Sequence, residues 1–150
     1  MGGAKFCRFA LFPLMLLMLL LLPAGMVAQK AASSSKYIAT YQSSTQTLTF
    51  KEYAGKKLPK NSAWVEDKMT VATIINNLGN GTIKHIVFDK SFSTYTPTTL
   101  YAFFKSLTEL ETITGLEYLN TAKVTDMGFM FSNCLKLTSL DVTHFNTANV

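Results

Sequence analysis

The sequence predicts an α+β fold: a small N-terminal β-rich cap region, residues 37–96, followed by a short solenoid of about two stacked repeats, residues 97–150. Three observations predict it. The segments Tyr37–Tyr41 and Thr47–Tyr53 are rich in β-branched and aromatic residues and flank a polar turn. Asn-Thr-Ala-Lys-Val at 120–124 returns as Asn-Thr-Ala-Asn-Val at 146–150. Between these copies the apolar positions match while the polar ones drift, as expected of two copies of one packing unit.

Residues 1–28 stand apart from this fold. Lys5 and Arg8 precede an apolar run, Phe9 to Leu22, and the small residues Ala24, Gly25 and Ala28 follow Pro23. A basic start, a short apolar centre and a small-residue exit are the pattern of a secretory signal peptide, with cleavage expected after Ala28. An uncleaved anchor is the alternative, because uncharged residues run from Phe9 to Gln29 and about 20 residues can span a bilayer. Pro13 and Pro23 interrupt that run and weigh against it. Residues 29–36, Gln-Lys-Ala-Ala-Ser-Ser-Ser-Lys, read as a polar linker.

Loss of Lys5 and Arg8 with the signal takes the formal charge from +5 to +3. The remaining lysines are scattered, apart from Lys51, Lys56, Lys57 and Lys60, and no arginine remains. A nucleic-acid partner is therefore not expected, and no membrane contact is expected after signal cleavage. Cys7 leaves with the signal, so Cys134 has no internal disulfide partner. It reads as a small buried hydrophobe.

In the cap region, Leu48 and Phe50 alternate with Thr47, Thr49 and Lys51, which predicts a hairpin closed by Gln42–Gln46. Residues 54–63 read as a loop. Val65, Met69, Ala72, Ile75 and Leu78 recur at helical spacing. Gly79-Asn80-Gly81 is a turn signal, and Thr82–Phe88 reads as a further strand. Asn80-Gly81-Thr82 also fits the N-glycosylation acceptor pattern, although its turn role explains it more simply.

The two repeat units are 97–123 and 124–149. At an offset of 27, Leu100 falls on Met127, Phe103 on Met130, Phe104 on Phe131, Leu107 on Cys134, Leu110 on Leu137 and Ile113 on Leu140. One extra residue near Gly115 shifts the offset to 26, so that Leu116 falls on Val142 and Leu119 on Phe145. Thr125 is expected to cap a short helix with Asp126 in its first turn. Val124 and Phe129 are expected to staple it. Thr96 would cap the equivalent helix in the first unit, with Pro97 at its first position. Leu137-x-x-Leu140-x-Val142-x-x-Phe145 has the spacing of a leucine-rich-repeat strand with its flanking turn. One such unit cannot cover its own apolar face, and about three are needed. Because Val150 would be the first residue of a third unit, the chain is expected to be a truncated piece, with further repeats C-terminal to Val150.

"VTDMGFMFSNCLKLTSLDVTHFNTANV", residues 124–150, resembles the repeat of about 26 residues found in BspA-like leucine-rich-repeat bacterial surface proteins. "YIATYQSSTQTLTF" and "IKHIVFDKSFSTYTPTTLYAFFKSLTELETITGLEYLNTAKV" resemble the amino-terminal region and first degenerate repeat of the same family. The resemblance covers most of residues 37–150 and is looser over Ala54–Asn80. It implies export, placement at the cell surface or in the medium, and adhesion to host extracellular-matrix proteins, epithelium or other microbes.

The residues offer little to catalysis, and no enzyme activity, metal or cofactor is expected. His85 and His144 lack a second ligand at metal spacing. Cys134 falls on a core position, Glu109 and Glu111 alternate with Leu110, and no phosphate loop or nucleophile elbow occurs. The residues assigned to a partner-binding face are the outward positions Thr112, Thr114, Thr138, Ser139, Asp141, Thr143 and His144. A row of hydroxyls suits a broad, shallow, polar contact with a protein. Two functions are open: an exported adhesion module, or a non-catalytic targeting domain of a larger surface enzyme.

Overall fold

β1 (Lys36–Gln42) and β2 (Thr47–Tyr53) pair antiparallel, with Ala39 opposite Phe50 and Thr40 opposite Thr49. The computed structural model describes residues 36–79 and 81–150. The signal segment, residues 29–35 of the linker, and Asn80 of the acceptor tripeptide lie outside the described residues. β3 (Ser62–Val65) adds antiparallel to the far side of β1. β4 (His85–Phe88) and β5 (Thr112–Thr114) add parallel beyond β2. The result is one mixed five-stranded sheet in the order β3-β1-β2-β4-β5.

Parallel neighbours need crossovers, and two connect β2 to β4 and β4 to β5, while residues 115–150 follow the last strand. The first holds β3 and α1 (Val71–Asn77). Thr70 caps α1 by accepting a hydrogen bond from the Thr73 amide at 3.2 Å, and Gly79 takes a left-handed φ of 87° just past its end. Val71, Ile74 and Ile75 form its buried face. The second crossover begins with a 3₁₀ turn, Lys90–Thr94, capped by the Asp89 carboxylate on the Ser91 amide at 2.9 Å.

The core lies on one side of the sheet. Leu48, Phe50, Ile86 and Phe88 point into it from β2 and β4, and Phe92, Phe103 and Phe104 reach it from the crossover. Phe50 and Phe88 stack with ring centroids 4.8 Å apart, and Phe92 packs edge-on against Phe50 at 5.5 Å. Each such ring taken out of water contributes roughly 1.5–3 kcal/mol.

The leucine-rich-repeat solenoid expected over 97–150 is not what the chain builds. Among the described residues the chain forms a small domain with a mixed five-stranded sheet and one α-helix, with more strand than helix. The short helices expected after Thr96 and Thr125 are absent among the described residues. Ala102, Ser106, Phe129 and Asn133 hold φ of 55°, 62°, 57° and 63°, and a left-handed residue at every fourth position breaks a right-handed helix. The caps do not form either: the Thr125 hydroxyl donates to the Thr98 carbonyl at 3.2 Å. Phe129 is 60% exposed while Val124 is fully buried, so no staple joins them. Ile113 lies in β5 beside Ile86, but its counterpart Leu140 is in no strand and is 38% exposed. The two units therefore have unlike surroundings at this position.

The turns instead lie as two hydrogen-bonded rows. The amides of Leu100, Ala102, Phe104 and Ser106 donate to the carbonyls of Asp126, Gly128, Met130 and Ser132, at 2.8, 2.8, 2.9 and 2.9 Å. Lys136 bridges the rows to Glu109 at 2.6 Å. Cys134, expected to be buried, is half-buried, with its thiol donating to the Phe104 carbonyl at 3.1 Å. The helical pattern from Val65 to Leu78 is also shortened, because β3 takes Val65 and α1 begins six residues later at Val71.

Candidate functional site: the outer face of the sheet

Alternation along each strand sends every second residue away from the core. The registers then line these outward residues up across the strands. One row runs Ser62, Thr40, Thr49, Val87, Thr114. A second runs Thr47, His85, Thr112. Neighbouring strands are about 4.8 Å apart, so the first row spans about 19 Å.

The hydroxyls are held but not exhausted. Thr40 Oγ1 and Ser62 Oγ lie 2.8 Å apart, His85 Nδ1 and Thr112 Oγ1 2.9 Å apart, and Thr47 Oγ1 donates to the Thr45 carbonyl at 3.2 Å. A hydroxyl can donate once and accept twice, so each keeps capacity for an incoming group. Toward β3 the same face turns aromatic. Trp64 sits 6.1 Å from Tyr53, with Lys36 Nζ 4.8 Å from the Trp64 ring centre. Ile38 pairs directly with Trp64 and Lys51 on this outer side and is nevertheless fully buried beneath them.

Of the residues assigned from sequence, the structure brings Thr112 and Thr114 together on β5, both exposed. Thr138, Ser139, Asp141, Thr143 and His144 are also exposed, but no strand carries them onto the sheet. Asp141, Thr143 and His144 form a local turn instead: Asp141 Oδ1 accepts from the Thr143 amide at 3.0 Å and hydroxyl at 2.7 Å, and Thr143 Oγ1 lies 3.3 Å from His144 Nδ1. The Thr143 side-chain and backbone hydrogen bonds hold the Asp141 carboxyl below its ordinary pKa. Thr40, Thr47, Thr49, Ser62 and His85 were missed as members of the face. The alternation Thr47-Leu48-Thr49-Phe50-Lys51 was the signal that could have found those on β2.

Among the described residues, no three His, Cys, Asp or Glu side chains cluster closely enough to hold a metal ion. Nor is any described helix long and apolar enough to cross a membrane.

Fold and face together define a class: a small mixed-sheet domain with an aromatic-filled inner side and an open, hydroxyl-bearing outer side. No family model, curated protein or solved structure is similar enough to this chain to count as a match.

Proposed function

We propose that this chain is an exported adhesion module that binds host extracellular-matrix proteins or other microbial surfaces through the outer face of its sheet. One observation carries the reading: five strands place Ser62, Thr40, Thr49 and Thr114 in one row, with Thr47, His85 and Thr112 in the next. Such a face is broad, shallow and rich in hydrogen-bonding groups, which suits contact with another protein more than enclosure of a small molecule. The resemblance to BspA-like surface proteins and the signal-like N-terminus support the same reading. The test is attachment. Beads coated with the secreted chain are passed over immobilised matrix proteins, epithelial cells and other microbes. Saturable attachment to at least one surface, competed by soluble chain, is the expected outcome. Attachment no better than with albumin-coated beads on all three contradicts the proposal.

A further inference from the structure

Positive charge is not spread evenly over this chain. Residues 36–60 hold five lysines, Lys36, Lys51, Lys56, Lys57 and Lys60, against one acid, Glu52. Residues 61–150 hold six lysines against eight acids. The positive excess of the described chain therefore lies within 36–60, and the fold gathers it. β2 and β3 both run antiparallel to β1, so the loop 54–61 has to return from beside Lys36, where β2 ends, to beside Thr40, where β3 begins. Tyr53, outward on β2, fastens that loop to the outer side of the sheet. Its hydroxyl donates to the Lys57 carbonyl at 2.9 Å, and Gly55 sits so close to its ring that a Cβ there would overlap it. Lys56, Lys57 and Lys60 are exposed on this loop. Lys36, opposite Tyr53, holds its ammonium 4.8 Å from the Trp64 ring centre, and Lys51 is the next outward residue along β2. The five lysines thus share the part of the outer face built by β1, β2 and β3.

Among the described residues none of the five forms an ion pair; the pairs that occur are Lys84 with Glu111 and Lys136 with Glu109. Three carboxylates lie near. Glu52 takes the inward alternation of β2. Asp89 has its carboxyl held low first by hydrogen bonds from Ser91 and more weakly by the Lys51 charge. Glu66 shares an open hollow with Leu58 and Trp64. Like charges gathered without partners repel one another, and a bound polyanion relieves that repulsion while releasing the ions condensed on it.

We propose that this patch binds a sulfated polysaccharide of the glycosaminoglycan type, with sulfates on the five lysines and sugar hydroxyls on the neighbouring Thr40, Thr49 and Ser62. The inference builds on the reading of the outer face as the adhesive surface and names the acidic polymer that face takes. The residues choose among polyanions. No arginine occurs in residues 29–150; nucleic acids and carboxylates draw on its planar fork, whereas a lysine ammonium is a point charge that suits scattered sulfates. Lys36 occupies a face of the Trp64 ring and closes it to base stacking. The exposed large apolar side chains among the described residues all fall between Tyr101 and Val150, so none at the patch would anchor it in a bilayer. The hydroxyls of Thr40, Thr49 and Ser62 line up across the same three strands. A polymer carrying both sulfates and hydroxyls meets both kinds of group.

The probe is a heparin octasaccharide titrated into the full secreted chain by calorimetry at about 0.15 M salt. Saturable binding is expected, weakening steeply as salt is raised. Lys56→Gln with Lys57→Gln should weaken it at least tenfold. Lys105→Gln with Lys123→Gln, which remove the same charge from exposed positions elsewhere, should change it less than twofold. Both variants should keep the circular dichroism spectrum and urea midpoint of the parent, and the fully desulfated octasaccharide should not bind. The proposal is overturned by no binding at millimolar octasaccharide, or by equal weakening in the two variants, which would mean that net charge alone draws the polymer. It is equally overturned if single-stranded DNA or phosphatidylserine vesicles bind more tightly, which would assign the patch to another polyanion. The two readings fail separately. Octasaccharide binding without attachment in the bead assay rejects the adhesion reading alone, and attachment without octasaccharide binding rejects this inference alone.

Discussion

Replacing Gly115 by alanine should cost far more than the same change at Gly79, although both glycines are left-handed. Their φ angles are 72° and 87°. A left-handed conformation costs an L-residue about 1–2 kcal/mol, while alanine returns roughly 0.4–1 kcal/mol by restricting the unfolded chain. At Gly79 a Cβ would meet nothing within 4 Å, so the net loss there should be roughly 0–1.6 kcal/mol. At Gly115 the same Cβ would stand 2.1 Å from the Phe88 carbonyl oxygen. That oxygen belongs to backbone at the end of β4 and cannot swing aside as a side-chain tip could. Relieving such an overlap adds roughly 1–3 kcal/mol, so Gly115→Ala should lose roughly 1–4.6 kcal/mol in all, 1–3 kcal/mol more than the same change at Gly79. Urea unfolding of both variants, with slopes checked against the parent, measures the difference. Equal losses at the two positions would refute the close approach of Gly115 to β4, and with it the placement of β5 beside β4.

Three further predictions follow from side-chain environments. Burial pushes the Asp67 carboxyl up, but hydrogen bonds from the Thr98 side chain and amide outweigh it and hold the group below its ordinary value of 3.8. A lowered folded pKa gives stability that is present above the unfolded value and lost as pH falls through the folded one. Asp67→Asn should therefore be slightly less stable at neutral pH and lose less than the parent on acidification below about pH 4, measured by thermal melts. Burial pushes the Tyr95 phenol well above its ordinary value of 10.0. Its contribution is complete below that value and declines as pH rises beyond it, so Tyr95→Phe should flatten the loss of stability above about pH 10. Burial also raises the Cys134 thiol, outweighing the lowering by a hydrogen bond from the Leu107 backbone. A thiol reagent at pH 8 should modify it more slowly in the folded chain than in urea; equal rates would contradict its half-buried position.

The first half of the fold was legible because its signals are local. Alternation in Thr47–Tyr53 marks β2, and the polar turn before it fixes the hairpin. The capped start of α1 was obscured because Val65 and Met69 continue a helical spacing by coincidence while Val65 belongs to β3. The second half misled for a physical reason. Apolar residues three and four apart serve a row of tight turns as well as a helix, and periodicity cannot tell them apart. The difference lies in the left-handed residues, and Ala102, Ser106 and Phe129 are not types that announce positive φ. Thr112 and Thr114 could be placed on an outward face from their own alternation. Their neighbours Thr47 and His85 come from distant strands, and only the parallel pairing of β2, β4 and β5 brings them together.

The most direct measurement of the central claim compares attachment of three secreted forms of the chain to the same surface. These are the parent, a variant carrying Thr49→Lys and Thr114→Lys on the sheet face, and one carrying Thr138→Lys and Thr143→Lys away from it. Binding through the sheet predicts that the first pair reduces attachment at least tenfold, a loss of about 1.4 kcal/mol. The second pair should leave attachment near the parent level, and both variants should unfold in urea close to the parent. Unchanged attachment with the first pair, or loss confined to the second, would place the contact elsewhere on the molecule and contradict the account.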